Sequence, residues 1–294
     1  MTRHRGGLAW ALLLALVAMW GSSFLFNKLG VATVPPATLV AGRLGIGAAI
    51  LVTVMRWRGL RFPSSPEMWM RYLALGLVGN AIPFFLITWG QRVVDSALAG
   101  ILMAIMPLAT LVLAHLFVHG ERMTAGRAIG FVTGFLGIVV LMIGRGVGPA
   151  AAMSVVYPLA VLCGALCYAA NSVMTRLLAR GDVLVVSAAT LLVAALIALP
   201  VAVYADRPWT LAPSLSSVGA IVWLGVGPTA VATLCYFRLI GLAGPTFMSL
   251  VNYLSPPVAV LLGVFILGET PHYSAYGGLA LILTGIAISQ LRRA

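Results

Sequence analysis

Apolar residues run almost unbroken through this chain in stretches of about 20, the first from Leu8 to Phe26, divided by short joints rich in Arg and Gly. A hydrocarbon layer about 30 Å thick takes about 20 residues of α-helix, since each residue rises about 1.5 Å and every backbone group bonds within the helix. The runs therefore predict membrane-spanning helices. Strands of a membrane barrel would alternate apolar and polar residues over about 10 positions, and these runs do not alternate. Composition agrees: 62% of the residues are hydrophobic and 8% charged. A soluble domain carries about 25% charged residues, so this chain could not cover a water-facing surface. It has room for about ten spans with short joints, and none for a soluble catalytic domain.

The spans are expected near 8–26, 36–55, 68–90, 96–118, 124–143, 154–177, 183–204, 214–237, 245–267 and 273–291. A basic start followed by an apolar run resembles a secretory leader. Ala18-Met19-Trp20-Gly21 offers no small-x-small cleavage pattern, however, so the segment is read as an uncleaved first helix. The net charge of +12 raises the question of nucleic acid, but no basic segment is long enough to track phosphates. Arg and Lys in short joints instead hold those joints in the cytoplasm. With the N-terminus inside, thirteen basic residues fall on the cytoplasmic side, against Lys28, Arg92, Arg145 and Arg207 outside, and Arg43 lies within a span. Both termini are thus expected in the cytoplasm. Cys163, Cys167 and Cys235 sit in apolar runs without metal or redox spacing and read as small core residues.

Sliding the chain by 148 residues aligns its halves. His119-Gly120-Glu121 falls on Leu267-Gly268-Glu269, Gly130 on Gly278, Gly137 on Gly285, Lys28-Leu29 on Arg176-Leu177, Trp20 on Tyr168 and Trp89 on Phe237. Five spans per copy is an odd number, so the second copy must insert upside down. The predicted fold is an all-α integral membrane protein of ten transmembrane helices in two inverted five-helix repeats, 1–143 and 150–294, joined by a linker at 144–149. The linker's Gly144-Arg-Gly-Val-Gly-Pro149 is no dinucleotide fingerprint, because no strand precedes it.

Met106-Pro107 through His119-Gly120-Glu121-Arg122 with Gly130 and Gly137 resembles one EamA domain of the drug/metabolite transporter superfamily. Ser255-Pro256-Pro257 through Leu267-Gly268-Glu269-Thr270 with Gly278 and Gly285 resembles the second, and Trp20-Gly21-Ser22-Ser23-Phe24 and Arg43 fit the same pattern. The second copy departs from it, with Leu191 in the place of Arg43 and Ala169-Ala170 replacing Gly21-Ser22. The resemblance covers nearly the whole chain and implies a ten-helix exporter in the inner membrane. Its substrates would be small metabolites, with amino acids the favoured class; a proton-coupled exporter of drugs or organic cations is the alternative. Two copies fused in one chain favour a monomer.

In transporters built from repeats, Gly/Pro-interrupted spans at corresponding places point to the site. Gly79 and Pro83 of the third span correspond to Gly227 and Pro228 of the eighth, and Pro107 of the fourth to Pro256 and Pro257 of the ninth. These are the expected hinges. Each proline frees the carbonyl four residues back, here at Gly79, Met103, Leu224 and Asn252 or Tyr253. A midplane cavity is expected, lined by Trp20, Ser22, Ser23, Asn80, Phe84, Met103, Met106, Tyr168, Asn171, Trp223, Met248, Asn252 and Tyr253. The alternative role for Asn80, Asn171 and Asn252 is hydrogen bonding between helices. Arg43 reads as a brace near a helix end, with anchorage of a substrate carboxylate the competing role.

Lys28 and Arg176 mark helix ends, and Glu121 and Glu269 suit helix N-termini. His115 and His119 share a helix face but lack further ligands, so neither metal nor cofactor is expected. An intramembrane enzyme would need a nucleophile with its base, yet H-E-x-x-H and G-x-S-x-G are both missing and no acid lies in a span. A channel would show flux that does not saturate. Without an intramembrane acid or a P-loop, the protein is expected to move a solute down its own gradient.

Overall fold

The computed structural model of the chain describes residues 6–121, 123–143 and 149–290, and it is helical wherever the sequence is apolar. Local chemistry sets the helix ends. After α1 (Gly7–Gly30), α2 (Pro36–Trp57) and α3 (Pro66–Gly90) each open with proline in the first turn, where no backbone donor is required. α4 (Ser96–Phe117), α5 (Ala125–Ile143) and α6 (Pro149–Leu178) follow. α7 (Val183–Asp206) is capped by Asp182, whose carboxylate accepts from Leu184 N at 2.8 Å and Val185 N at 3.4 Å. α8 (Leu215–Gly244) starts on the Ser214 hydroxyl, which accepts from Ser217 N at 3.2 Å. α9 (Leu250–Leu267) ends where Gly268 turns left-handed, and α10 spans Tyr273–Gln290.

Among the described residues, α1 to α9 contain nine stretches long and apolar enough to cross a bilayer. α10 has 18 residues but falls outside that set, because Tyr273, Ser274, Tyr276, Ser289 and Gln290 dilute its ends. Large apolar side chains face outward, including Leu14, Leu196 and Phe265, as lipid contact demands. The architecture agrees with an integral membrane protein.

Two expected boundaries move. The eighth helix runs past 237 to Gly244, where φ is 81°, and the ninth begins at Leu250 rather than 245. Only glycine adopts that backbone without strain, so the chain turns there. The sixth helix starts at Pro149 rather than 154. The proposed linker, apart from Pro149, lies outside the described residues.

Two wide turns interrupt the rods, at Leu77–Ala81 in α3 and Gly225–Val231 in α8, with hydrogen bonds that reach five residues instead of four. α4 is tightened at Ala104 and Ile105, just ahead of Pro107. The helices pack α2 on α7, α3 on α6, α1 on α8 and α9, and α4 on α6 and α9, while α5 and α10 form a pair of their own. That pair meets backbone to backbone. A Cβ on Gly137 would lie 2.7 Å from the Gly278 carbonyl oxygen, and one on Gly130 would overlap the Gly285 carbonyl. Small residues permit such approach, which drives helix association in lipid through packing.

One joint ties distant segments. Gly268, at φ 65°, swings Glu269 onto the N-terminus of α4, where its carboxylate accepts from Ser96 N at 2.7 Å and Ala97 N at 2.9 Å. Asp95, the residue at the N-cap, makes no such bond. Glu269 therefore does not serve the helix that follows it. Replacing it with Ala should destabilise the protein by about 1 to 2 kcal/mol, the usual loss of a helix cap. Thermal unfolding in detergent measures this, and an unchanged midpoint would exclude the cap.

Candidate functional site

The interrupted segments of α3, α4, α8 and α9 surround a cavity of about 640 Å³, within the range of ligand pockets. α1, α6, α7 and the single residue Arg43 of α2 complete its wall; α5 and α10 contribute nothing to it. The wall reaches the surface at Ala179, Gly181 and Val183, the junction of α6 and α7. The other end is shut. There Gln91 Nε2 donates to the Phe24 carbonyl at 2.9 Å, Lys28 Nζ donates to the Val94 carbonyl at 3.1 Å, and Lys28 pairs with Asp95 at 3.6 Å. The Glu269 cap lies at this closed end too.

Of the expected lining residues, Trp20, Ser23, Asn80, Phe84, Met103, Met106, Tyr168, Asn171 and Asn252 are on the wall. Ser22, Trp223, Met248 and Tyr253 are not. Ser22 donates to its own helix at Met19 O, and Trp223, 39% exposed, donates weakly to the Ser22 hydroxyl at 3.4 Å from the outer side. Met248 is buried among Leu13, Leu16 and Leu239, and the Tyr253 hydroxyl points to Ile286 O of α10. Among the expected hinges, Gly79, Pro107, Pro228 and Pro256 line the cavity, whereas Pro83, Gly227 and Pro257 lie off it. The sequence reading did not place Phe24 and Ser255 on the wall, though both belong to its motifs, and it missed Asn27, Thr190, Thr229, Thr233, Tyr236 and Phe237, an amide, small hydroxyls and aromatics without a pattern to mark them.

Interhelical hydrogen bonding was the other role open to the three asparagines. Among the described residues none of them makes such a bond. The Asn171 amide instead tucks against α3 at Gly79, where a Cβ would come within 2.5 Å of it. Its oxygen, the Asn27 amide oxygen and the Ser255 hydroxyl are buried without a partner, so this wall holds polar capacity the protein leaves unused.

Arg43 differs from the expected brace at a helix end. It is 6% exposed; its Nε donates to Thr229 Oγ1 at 2.9 Å and its guanidinium lies 3.8 Å from the centre of the Phe84 ring. Thr229 in turn donates from its hydroxyl to the Leu224 carbonyl at 2.7 Å, the carbonyl to which Pro228 has no N–H to donate. Trp20 Nε1 donates to the Pro228 carbonyl at 3.2 Å. The wide turn in α8 is thus fastened from α1 and α2.

At the open end, Glu121 pairs with Arg176 at 2.9 Å and Arg127 at 3.3 Å. The Arg176 hydrogen bond leads the effects that hold its carboxyl below the usual carboxylate range, with burial opposing. His115 Nδ1 accepts from Met123 N at 3.1 Å and so braces the loop. Among the described residues no three His, Cys, Asp or Glu side chains gather as a metal site would require.

The EamA-like transporter family matches residues 7–143 and 156–290. The "Uncharacterized inner membrane transporter YedA" of Escherichia coli K12 is 25% identical over 280 residues, 95% of this chain and 89% of that protein. The "Probable terminal-alkyne amino-acid exporter" of Streptantibioticus cattleyicolor is 28% identical over 284 residues, 96% and 93% of the two chains. A protein solved by crystallography superposes with a TM-score of 0.69 at 26% identity, covering 98% of this chain and 99% of that one.

Filling the cavity should stop solute movement. Asn252→Trp is expected to abolish uptake into proteoliposomes while insertion stays native, and Leu196→Trp on the lipid face to leave it intact. Full activity in Asn252→Trp would remove the cavity from the solute path.

Proposed function

The chain belongs to the EamA-like transporter family, and from that premise we propose a secondary transporter that exports small metabolites, amino acids foremost, across the inner membrane by alternating access. The observation that carries this reading is one cavity at the level of the interrupted helices, open at one end and barred at the other. A relative named as an amino-acid exporter supports the substrate class. The nine wall residues expected from the sequence would hold the solute, and Gly79, Pro107, Pro228 and Pro256 would flex around it.

We read α1 to α10 as ten spans in two inverted copies, residues 1–143 and 150–294, acting as a monomer because both copies share one chain. The wide turns support this: they begin at Leu77 and at Gly225, 148 residues on, the same offset that aligns the halves. Packing supports it as well. Under that offset Gly130 is the counterpart of Gly278 and Gly137 of Gly285, and the observed contacts, Gly130 on Gly285 and Gly137 on Gly278, exchange with each other as a two-fold axis requires.

With both termini cytoplasmic, the open end at Gly181 faces the cytoplasm, where an exported solute enters. An organic-cation exporter fits less well, since Arg43 makes the wall positive. Proton coupling is equally disfavoured: Glu67, Asp95, Glu121, Asp182, Asp206 and Glu269 all lie at helix ends or in loops.

Two measurements test this. In a background with its three cysteines replaced by Ala, Ser64→Cys should react with an impermeant reagent only from the cytoplasm and Ala212→Cys only from outside; the reverse would invert the topology. In liposomes, counterflow of amino acids should equilibrate at one level with or without an imposed pH gradient. Uphill accumulation that follows the gradient and vanishes with an uncoupler would falsify the uncoupled mechanism.

A further inference from the structure

A guanidinium held inside a membrane protein calls for a counter-charge, because burial strips away the water that otherwise solvates it. Arg43 has none among the described residues. Every acid in the chain is engaged elsewhere: Glu67 with Arg71 at 2.6 Å, Asp95 with Lys28, Glu121 with Arg176 and Arg127, Asp182 on the start of α7, Asp206 with Thr38, and Glu269 on the start of α4. Among the described residues no carboxylate remains to neutralise it.

The surroundings of Arg43 fix its orientation without saturating it. The Thr229 hydroxyl takes Nε, and the Phe84 ring supports one face of the plane. The two terminal nitrogens have no hydrogen-bond partner among the described residues, and the side chain is part of the cavity wall. A structural brace would use those nitrogens on backbone carbonyls or an acid. Here the fork is immobilised and its donors are left over, which is the arrangement that receives a planar anion through two parallel bonds.

We propose that Arg43 anchors the carboxylate of the transported solute, so that the site selects carboxylates over the matching amines. This rests on the reading of the cavity as the substrate site. Tyr168, whose ring centre is 6.2 Å from that of Phe84, adds a hydroxyl beside the anchor, and the Asn80 and Asn252 amides, which make no hydrogen bond to a described residue, are free to accept from an ammonium group. Aromatic and Met side chains elsewhere on the wall suit an apolar side chain.

Equilibrium dialysis of the purified full chain in detergent, with labelled phenylalanine, 3-phenylpropionate and phenylethylamine, tests this beside counterflow of phenylalanine in liposomes. The protein should bind both carboxylates, and Arg43→Gln should weaken them about tenfold or more while leaving any phenylethylamine binding no weaker than before, since the variant removes a positive charge from the wall. Arg43→Lys keeps the charge and guards against a misfolded Gln variant: it should bind carboxylates more weakly than the native protein, with amine binding again no weaker. Equal loss of carboxylates and amine in both variants would make Arg43 a strut and overturn the proposal, as would undiminished carboxylate binding in Arg43→Gln. Displacement of 3-phenylpropionate by sodium chloride at matched ionic strength, as effective as displacement by phenylalanine, would assign the site to inorganic anions and overturn it too. Carboxylate binding that depends on Arg43 without phenylalanine counterflow would uphold the anchor and overturn amino-acid transport.

Discussion

Inside a lipid hydrocarbon layer no water is available to bond a stray backbone group, and each unsatisfied one costs several kcal/mol. Helices meet this demand by default. The interest lies where the chain breaks them, because every break must be repaired by a side chain or exposed to a cavity. In α8 the repair is explicit: Pro228 cannot donate to Leu224, the wide turn passes that carbonyl to the next residue, the Thr229 hydroxyl also donates to it, and the same hydroxyl accepts from Arg43. A backbone defect, a hydroxyl and a buried cation are therefore one connected device. Trp20 closes on the Pro228 carbonyl from the opposite helix, so two elements distant in sequence converge on one turn.

This connection explains why the cavity sits where it does. Wide turns shift the register of a helix, and α3 and α8, which carry them, supply Gly79, Asn80, Pro228 and Thr229 to the cavity wall, whereas α5 and α10, regular rods mated glycine to glycine, supply nothing to it. The orphan acceptors on Asn27 and Asn171 belong to the same balance. Stability gained in the glycine-mated pair and in the apolar clusters can offset groups that a stability optimum would have removed, and such groups concentrate where a ligand can meet them.

Helix existence was legible in the sequence because a 20-residue apolar run has few other fates in a chain this short of charge. The end of the eighth helix was less so: Gly241 and Gly244 look alike in the sequence, and only the backbone distinguishes the helical one from the one at φ 81°. Depth along a span could be read, and it located nine of the wall residues. Rotation could not. Trp223 and Met248 lie at suitable depths but face outward or into packing, because helices apolar on every side carry no amphipathic signal to fix which face turns inward. For Arg43 the sequence suggested a brace near a helix end, and what it could not supply was the partners, because Thr229 and Phe84 lie on two other helices.

The two ends of the cavity are unequal, and the inequality follows the two Gly-Glu pairs. Glu269 is fastened on the N-terminus of α4 at the closed end, while Glu121, its counterpart under the proposed inversion, is held by Arg176 and Arg127 at the open end. A carboxylate on backbone donors and a carboxylate between two guanidinium groups are both strong charge-assisted contacts, so neither arrangement leaves the acid idle. Under the alternating access proposed above, exchange between open and closed ends would replace one set of good contacts by another of the same kind. A carrier working in that way needs such near balance, since a conformation favoured by more than about 5 kcal/mol would hold the minor one at well under about 1% of the population.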